Sequence, residues 1–201
     1  MDQSSLFHWS FVLVFLAAFA ISGFYRRRAR QSGEAIRRSQ ESRMVILLRV
    51  FFALPFYLAA LTYMVNPAWM DWSAMSMPLW LRLLATVVAL ALIPVIYWTM
   101  RSIGNNVSET YLTKTNHVLV THGPYRWVRH PIYTVATTLF VALSMVAANW
   151  FMLVMAVMQT TMLALVGIPR EEAQLTLKFG AGYQAYQQRT GQLLPRWGGH
   201  S

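Results

Sequence analysis

No cysteine occurs among the 201 residues, which excludes disulfides, thiolate metal sites and a thiol nucleophile. Charge is scarce as well: Asp, Glu, Lys and Arg make up 12% of the chain, against about 25% in an ordinary soluble domain. Acidic groups are the rarest, 7 against 17 basic ones, for a formal net charge of +10. The chain also lacks a glycine-rich dinucleotide fingerprint after a strand, a phosphate-binding loop and a G-x-S-x-G elbow, so the soluble nucleotide folds and serine hydrolases are excluded. It has no internal repeat and no low-complexity tract. What it does have is apolar surface, with 56% hydrophobic and 14% aromatic residues and a mean hydropathy of +0.39. Such a composition points to a bilayer as solvent.

Five apolar stretches, 6–25, 44–65, 79–100, 132–148 and 150–168, come near the ~20 residues a helix needs to cross a ~30 Å hydrocarbon core. They predict five membrane helices. Basic residues follow the first stretch rather than precede it, and the stretch exceeds a signal-peptide core, so it is expected to stay in the mature protein. Arg26, Arg27, Arg28, Arg30, Arg37, Arg38 and Arg43 crowd between the first two stretches, opposed by Glu34 and Glu41. Short basic loops stay in the cytoplasm, which places the amino terminus and the 66–78 loop outside, and the 101–131 segment and carboxyl tail inside. Arg101, Lys114, Arg126, Arg129, Arg170, Lys178, Arg189 and Arg196 agree, Arg49 lies near an inner end, and Arg82 alone falls near the outer face. Charge placed this way reads as topological anchoring and contact with anionic lipid, not nucleic-acid binding. Trp69, Trp72 and Trp80 suit an outer interfacial belt; Pro55 and Pro94 suit tolerated mid-helix kinks.

Little more than Ala148 and Asn149 joins the last two stretches, so the two helices must form an antiparallel hairpin. Its closure brings Pro131, at the start of one helix, beside Pro169, at the end of the other or the start of the next. Segments 101–133 and 169–197 therefore meet at one membrane surface. The first is broken by Gly104, Gly123, Pro124 and Pro131 around a strand-like run at 118–120, and reads as a folded re-entrant loop. The second opens on Glu171 and Glu172, favoured at a helix start, and continues with Leu175, Phe179 and Tyr183 or Tyr186 at helical spacing, so it reads as one amphipathic helix lying on the membrane or on the loop.

Tyr125, Arg126, Arg129, His130 and Tyr133 fall within nine residues, and the hairpin sets them against Glu171 and Glu172. Alone, each has a structural explanation as helix carboxylate or headgroup anchor. Together they make an acid, base and aromatic cluster at a bilayer surface, where ionisable groups are costly unless paired and mark function. The spacing of His117, His122 and His130 fits no common ligand pattern, so no metal is expected.

The run His117-Val118-Leu119-Val120, the motif Gly123-Pro-Tyr-Arg-Trp-Val-Arg-His-Pro-Ile-Tyr133, and Glu171-Glu172 ahead of Phe179-Gly180, Tyr183 and Tyr186 together resemble the isoprenylcysteine carboxyl methyltransferase and phospholipid methyltransferase family of integral membrane enzymes. The resemblance covers about 101–197. It implies S-adenosylmethionine bound at the cytoplasmic face and a lipophilic or amphiphilic methyl acceptor entering from the membrane. By position it implies that His117, Val118, Leu119 and Val120 line the adenosine, that Tyr125, His130, Pro131, Ile132 and Tyr133 close around ribose and methionine, and that Glu171 holds a polar group of the cofactor. Glu172 or His130 is then a candidate base for an amine acceptor, and Arg129 or Arg170 a candidate clamp for a carboxylate. The eukaryotic carboxyl methyltransferases carry an arginine four residues before the first glutamate, and here Gly167 occupies that place.

The expectation is thus an all-α integral membrane protein with five transmembrane helices, in which a cytoplasmic re-entrant loop and a C-terminal amphipathic helix form the cofactor pocket. Residues 1–100 hold three membrane helices and the basic loop 26–43; residues 101–201 form the catalytic half, with the loop 101–131, the hairpin 132–168 and the tail helix 169–197. A bacterial inner membrane is the expected location. Two readings stay open beside the methyltransferase: a sterol-reductase-like enzyme using NADPH, and a non-catalytic membrane subunit.

Overall fold

The computed structural model describes residues 3–31, 43–104 and 118–196, and every regular element among them is helical. The chain order is α1 (Gln3–Gln31), α2 (Arg43–Val65), a 3-10 turn (Pro67–Ser73), α3 (Leu79–Ile103), a second 3-10 turn (Gly123–Arg126), α4 (Pro131–Val146), α5 (Trp150–Met162), a π turn (Leu163–Gly167), α6 (Ile168–Phe179) and α7 (Ala181–Arg189). Pro55 and Pro94 lie inside α2 and α3, where the flanking helical ladder tolerates them.

Each long helix buries one stripe. In α1 it is Phe7, Phe11, Val14, Phe15, Ala18, Tyr25 and Ala29, while Leu13, Leu16, Phe19 and Phe24 face outward. In water that outer apolar face would aggregate; in lipid it is simply solvated. Between the larger buried side chains lie small ones, Ala59 and Ala60 in α2, Ala85 and Ala89 in α3, Ala142 in α4 and Ala156 in α5, which let backbones approach closely without a hydrophobic drive.

Helix α4 packs on α3, α5 and α1 and is the inner member of the bundle. Among the described residues four helices are long and apolar enough to cross a membrane, at 3–31, 46–65, 79–103 and 150–179, whereas the stretch expected at 132–148 is the 16-residue helix Pro131–Val146. At 1.5 Å per residue that is about 24 Å. Among its residues Thr138 alone is exposed, so its neighbours shield it and it need not match the hydrocarbon thickness itself. It nevertheless runs the depth of the bundle against α3: the Arg82 guanidinium near the start of α3 donates to the Val146 carbonyl at the end of α4 (2.9 Å), while Ser102 at the far end of α3 lies against Gly123, just ahead of α4. Gly123 has φ +60, and a Cβ there would collide with the Ser102 hydroxyl.

The hairpin is as expected. Asn149 caps α5 by accepting from Met152 N–H (2.9 Å) and donates to Ser73 Oγ (2.7 Å), and Met75 N–H donates to Ala148 O (2.8 Å). The turn between α4 and α5 is thereby tied to the 3-10 turn at the same end. The tail departs from expectation: instead of one helix over 169–197, α6 and α7 are separated at Gly180, whose φ of +52 places it in the left-handed region that glycine enters freely. Residues 118–120 form no strand, and the 105–117 part of the expected re-entrant loop lies outside the described residues.

Replacing Asn149 with alanine removes both the cap and the buried donor to Ser73. The expected cost is about 1–2 kcal/mol, read as a lower unfolding temperature in detergent, with a smaller loss for Ser73→Ala, which leaves the cap in place.

Candidate active site

Pro131 occupies the first turn of α4, where its missing N–H costs nothing. The preceding residue, His130, is held at φ −121 and ψ 58, out of the helical region as a residue before proline tends to be, and its ring turns back over the helix start to stack on Tyr133 (centroids 5.5 Å apart, planes 13° from parallel). Opposite, Glu171 and Glu172 follow just after the π turn, on the helix that runs without a break from Trp150 to Phe179. The apolar run of the preceding helix stops at Ile168, and the charges Arg170, Glu171, Glu172 and Lys178 set α6 beyond the membrane core.

The two motifs are in direct contact. Arg129 Nε donates to Glu172 Oε1 (2.8 Å), and His130 Nε2 lies 3.2 Å from the same oxygen. The other ring nitrogen, Nδ1, is 3.8 Å from Glu171 Oε2, to which the Tyr133 hydroxyl donates (2.6 Å). The buried imidazole thus bridges both carboxylates. Gln187 of α7 donates to Glu172 Oε2 (3.2 Å), so both oxygens of Glu172 are occupied. Glu171 is more open, its side chain retaining 29% of its accessible surface against 15% for Glu172. Burial raises the Glu172 carboxyl, but the hydrogen bonds and charges of His130 and Arg129 outweigh it and bring it down to about 2.

Arg129 does a second task. Its guanidinium also donates to the carbonyls of Gln187 (3.1 Å) and Thr190, while its backbone N–H donates to Gly191 O (2.8 Å) and that of His130 to Gln192 O (3.1 Å). Residues after α7 therefore lie alongside 127–130 and fasten the tail to the motif. Tyr186 adds a donor bond to the Tyr125 carbonyl (2.5 Å), and Leu175, Tyr183 and Tyr186 form a small core with Leu119 and Phe179. The amphipathic face expected of the tail is present, folded onto the loop.

Among the candidate residues, Arg129, His130, Tyr133, Glu171 and Glu172 come together, with Tyr125, Leu119 and the buried Pro131 behind them. Val118 is exposed and Val120 half-buried. Arg170 is exposed and has no side-chain partner among the described residues. Ile132 points the other way and lines cavities inside the bundle. His117 lies outside the described residues. Gln187 and Thr190 were not anticipated: they act through one side-chain amide and two backbone carbonyls, which leave no trace in local sequence.

The hydroxyls of Tyr125 and Tyr183 are buried with no hydrogen-bond partner among the described residues. Burial, then Glu171 beside Tyr125 and Glu172 beside Tyr183, raise both phenols above their usual value; burial likewise pushes Tyr186 up to about 12. All three stay protonated near neutrality, so two buried donors are left to satisfy beside a partly open carboxylate. A polar organic group fits such a place better than empty space does.

An all-helical apolar bundle closed at one end by this charged cluster defines a membrane-embedded protein with its site at the bundle's rim. Residues 83–177, from α3 into α6, match the sequence model of the isoprenylcysteine carboxyl methyltransferase (ICMT) family. Among solved structures the chain is similar to the eukaryotic intramembrane Ras methyltransferase ICMT (isoprenylcysteine carboxyl methyltransferase) without a monobody, with a TM-score of 0.53 and 23% sequence identity, covering 78% of this chain and 53% of that chain. The likeness shows a common fold; the chain spans about half the length of that relative. No curated protein matches the chain by sequence.

Breaking the fastening should be costly. Arg129→Ala strips Glu172 of its strongest partner and frees two carbonyls, for an expected loss of about 3 kcal/mol and new proteolytic cuts within 180–196; Arg129→Lys should recover only part, lacking the guanidinium fork. Because folding depresses the Glu172 carboxyl, its ionised form stabilises the protein above about pH 4.5, and that contribution is lost as pH falls toward about 2. Thermal unfolding measured across this range should lose its acid dependence in Glu172→Gln.

Proposed function

We propose that the protein is an S-adenosylmethionine-dependent methyltransferase that methylates an amphiphilic acceptor at the cytoplasmic face of a membrane, with a bacterial inner membrane as its home. The observation that carries this reading is the meeting of Arg129, His130 and Tyr133 with Glu171 and Glu172 in a stretch that matches the ICMT family. In the same reading α4 crosses the membrane as the fifth span, inside the other four.

The bound cofactor supplies a methyl group on a positively charged sulfur together with an ammonium. Glu171 suits one of its cationic or hydroxyl groups: it is partly exposed, and the Tyr133 hydroxyl fixes one of its oxygens and leaves the other free to accept. Tyr125 and Tyr183 offer the two unpartnered hydroxyls, and the His130 and Tyr133 rings offer a stacked aromatic wall of the kind that favours a cation near its face. Arg129 and Glu172 act as positioning residues, since each is already saturated by partners within the chain. Glu172, held at about 2, is a poor base near neutral pH. The site therefore favours a nucleophile that arrives already ionised, such as a carboxylate, over an amine that must first lose a proton. Methyl transfer to it is an in-line displacement that asks for alignment and dryness rather than a covalent intermediate. His117, Val118, Leu119 and Val120 complete the adenosine side in this reading.

Calorimetric titration of the detergent-purified protein with S-adenosylhomocysteine tests it. Micromolar binding is expected, weakened about tenfold or more by Glu171→Ala, as befits loss of a charge-assisted contact, and a few-fold by Tyr133→Phe. Binding of NADPH with none of S-adenosylhomocysteine would replace this reading with the reductase one, and binding of neither would leave a non-catalytic subunit.

A further inference from the structure

Where α1 and α3 end, a groove of about 570 Å³ is lined by Tyr25, Arg28, Tyr97, Arg101 and Gly104. None of these belongs to the candidate active site. Within the groove the Tyr25 and Tyr97 rings meet edge-on (centroids 6.1 Å apart, planes at 66°). No carboxylate lines it. Arg28 and Arg101 are exposed, and neither has a hydrogen-bond or ion-pair partner among the described residues. Other arginines are engaged: Arg82 donates to the Val146 carbonyl, Arg129 pairs with Glu172, and Arg26, Arg30 and Arg49 have partners too. One arginine in the last turn of a membrane helix is explained by the helix dipole and by topology. Neither explains why two of them, on helices that are not consecutive in the chain, open into one groove where their charges repel.

Each arginine also ends a strip of lipid-facing side chains. On α3, Val87, Leu90, Pro94 and Tyr97 precede Arg101 at alternating spacings of three and four and are all exposed, so they share its face of the helix. On α1, Leu16, Ala20 and Phe24 precede Arg28 at steps of four and are exposed as well, along one ridge of that helix. The two helices pack on each other. Two cations at the helix ends, each continuing into an apolar strip, match an amphiphile with one anionic phosphate and two chains. Arginine's planar fork fits a phosphate, and tyrosine suits the headgroup level. We propose that this groove is a binding site for an anionic phospholipid, its phosphate held between Arg28 and Arg101 beside Tyr25 and Tyr97, its chains lying along α1 and α3. A soluble phosphate would meet the guanidiniums but not the strips, which is why the lipid is the occupant. The bound lipid removes the repulsion between the two arginines and braces α1 against α3, whose Ser102 supports Gly123 ahead of the candidate active site. The site does not depend on which reaction the protein catalyses.

The test is native mass spectrometry of the detergent-purified full chain, reading the one-lipid adduct as dioleoyl phosphatidylglycerol is titrated in. Dioleoyl phosphatidylcholine, which carries the same phosphate with a compensating ammonium, is the comparator. The wild type should hold phosphatidylglycerol about tenfold more tightly. Arg28→Gln with Arg101→Gln should bring it down to the affinity of phosphatidylcholine, with helix content by circular dichroism unchanged. Each single glutamine variant should lose part of the preference, so the result does not hang on the pair folding, and Arg28→Lys with Arg101→Lys should keep part of it. Arg27→Gln with Arg43→Gln removes the same charge from exposed positions outside the groove and should leave the preference intact. A wild type without preference, or glutamine variants at 28 and 101 that retain it in full, overturns the proposal. So does an equal loss in the pair at 27 and 43, because the attraction then belongs to a diffuse basic rim. Displacement of the lipid by an equal concentration of glycerol 1-phosphate also overturns it, since the groove then takes a soluble anion.

Discussion

The turn at Ala147, Ala148 and Asn149 constrains everything at the opposite end of the bundle. Helix α4 is 16 residues long, and α5 with the π turn adds 13 and 5 more, about 24 Å and 27 Å of rise if both are taken as helical. Starting together from so short a turn, they must also finish at nearly the same depth, and that is why His130 and Tyr133 find Glu171 and Glu172. The π turn has a part in this. Its wider hydrogen-bonding pattern accommodates an extra residue, and one residue is about 100° of helical rotation, enough to decide whether the carboxylate pair faces α4 or the lipid.

Within that frame, the polar chemistry is arranged in order of commitment. Glu172 has given both oxygens to Arg129, His130 and Gln187, and Arg129 Nη1 donates to the tail. Together they make the loop, α6 and α7 one unit. Glu171 keeps more surface, and Tyr125 and Tyr183 keep hydroxyls without partners. In the proposed reading the more occupied groups hold geometry and the more open ones bind, so adjacent glutamates of identical type take different roles, set by which of them the Arg129 fork reaches.

The helices, the hairpin and the meeting of the two motifs were legible in the sequence because they follow from length, polarity and a two-residue connection. The tail was legible only in part. Leu175, Tyr183 and Tyr186 do share a buried face, but Gly180 breaks the helix between them, and a glycine in a polar stretch looks the same whether it sits in a helix or ends one. Arg129 was legible as a site residue but not as a fastening, since its partners at Gln187 and Thr190 are backbone carbonyls that any residue would present. At α4 the length was legible, since the apolar stretch at 132–148 folds as the 16-residue helix Pro131–Val146, but its shielding by neighbouring helices was not.

The arginines of α1 and α2 show the deepest limit of sequence reading. Topology requires basic residues at the inner ends of these helices, and any arginine in 26–43 meets that need equally well. Which of them also faces a cavity depends on helical phase and on the neighbour it meets. Arg26 lines a cavity together with Arg49 of α2, Arg28 lines another with Tyr97 and Arg101, and Arg27 and Arg30 are exposed.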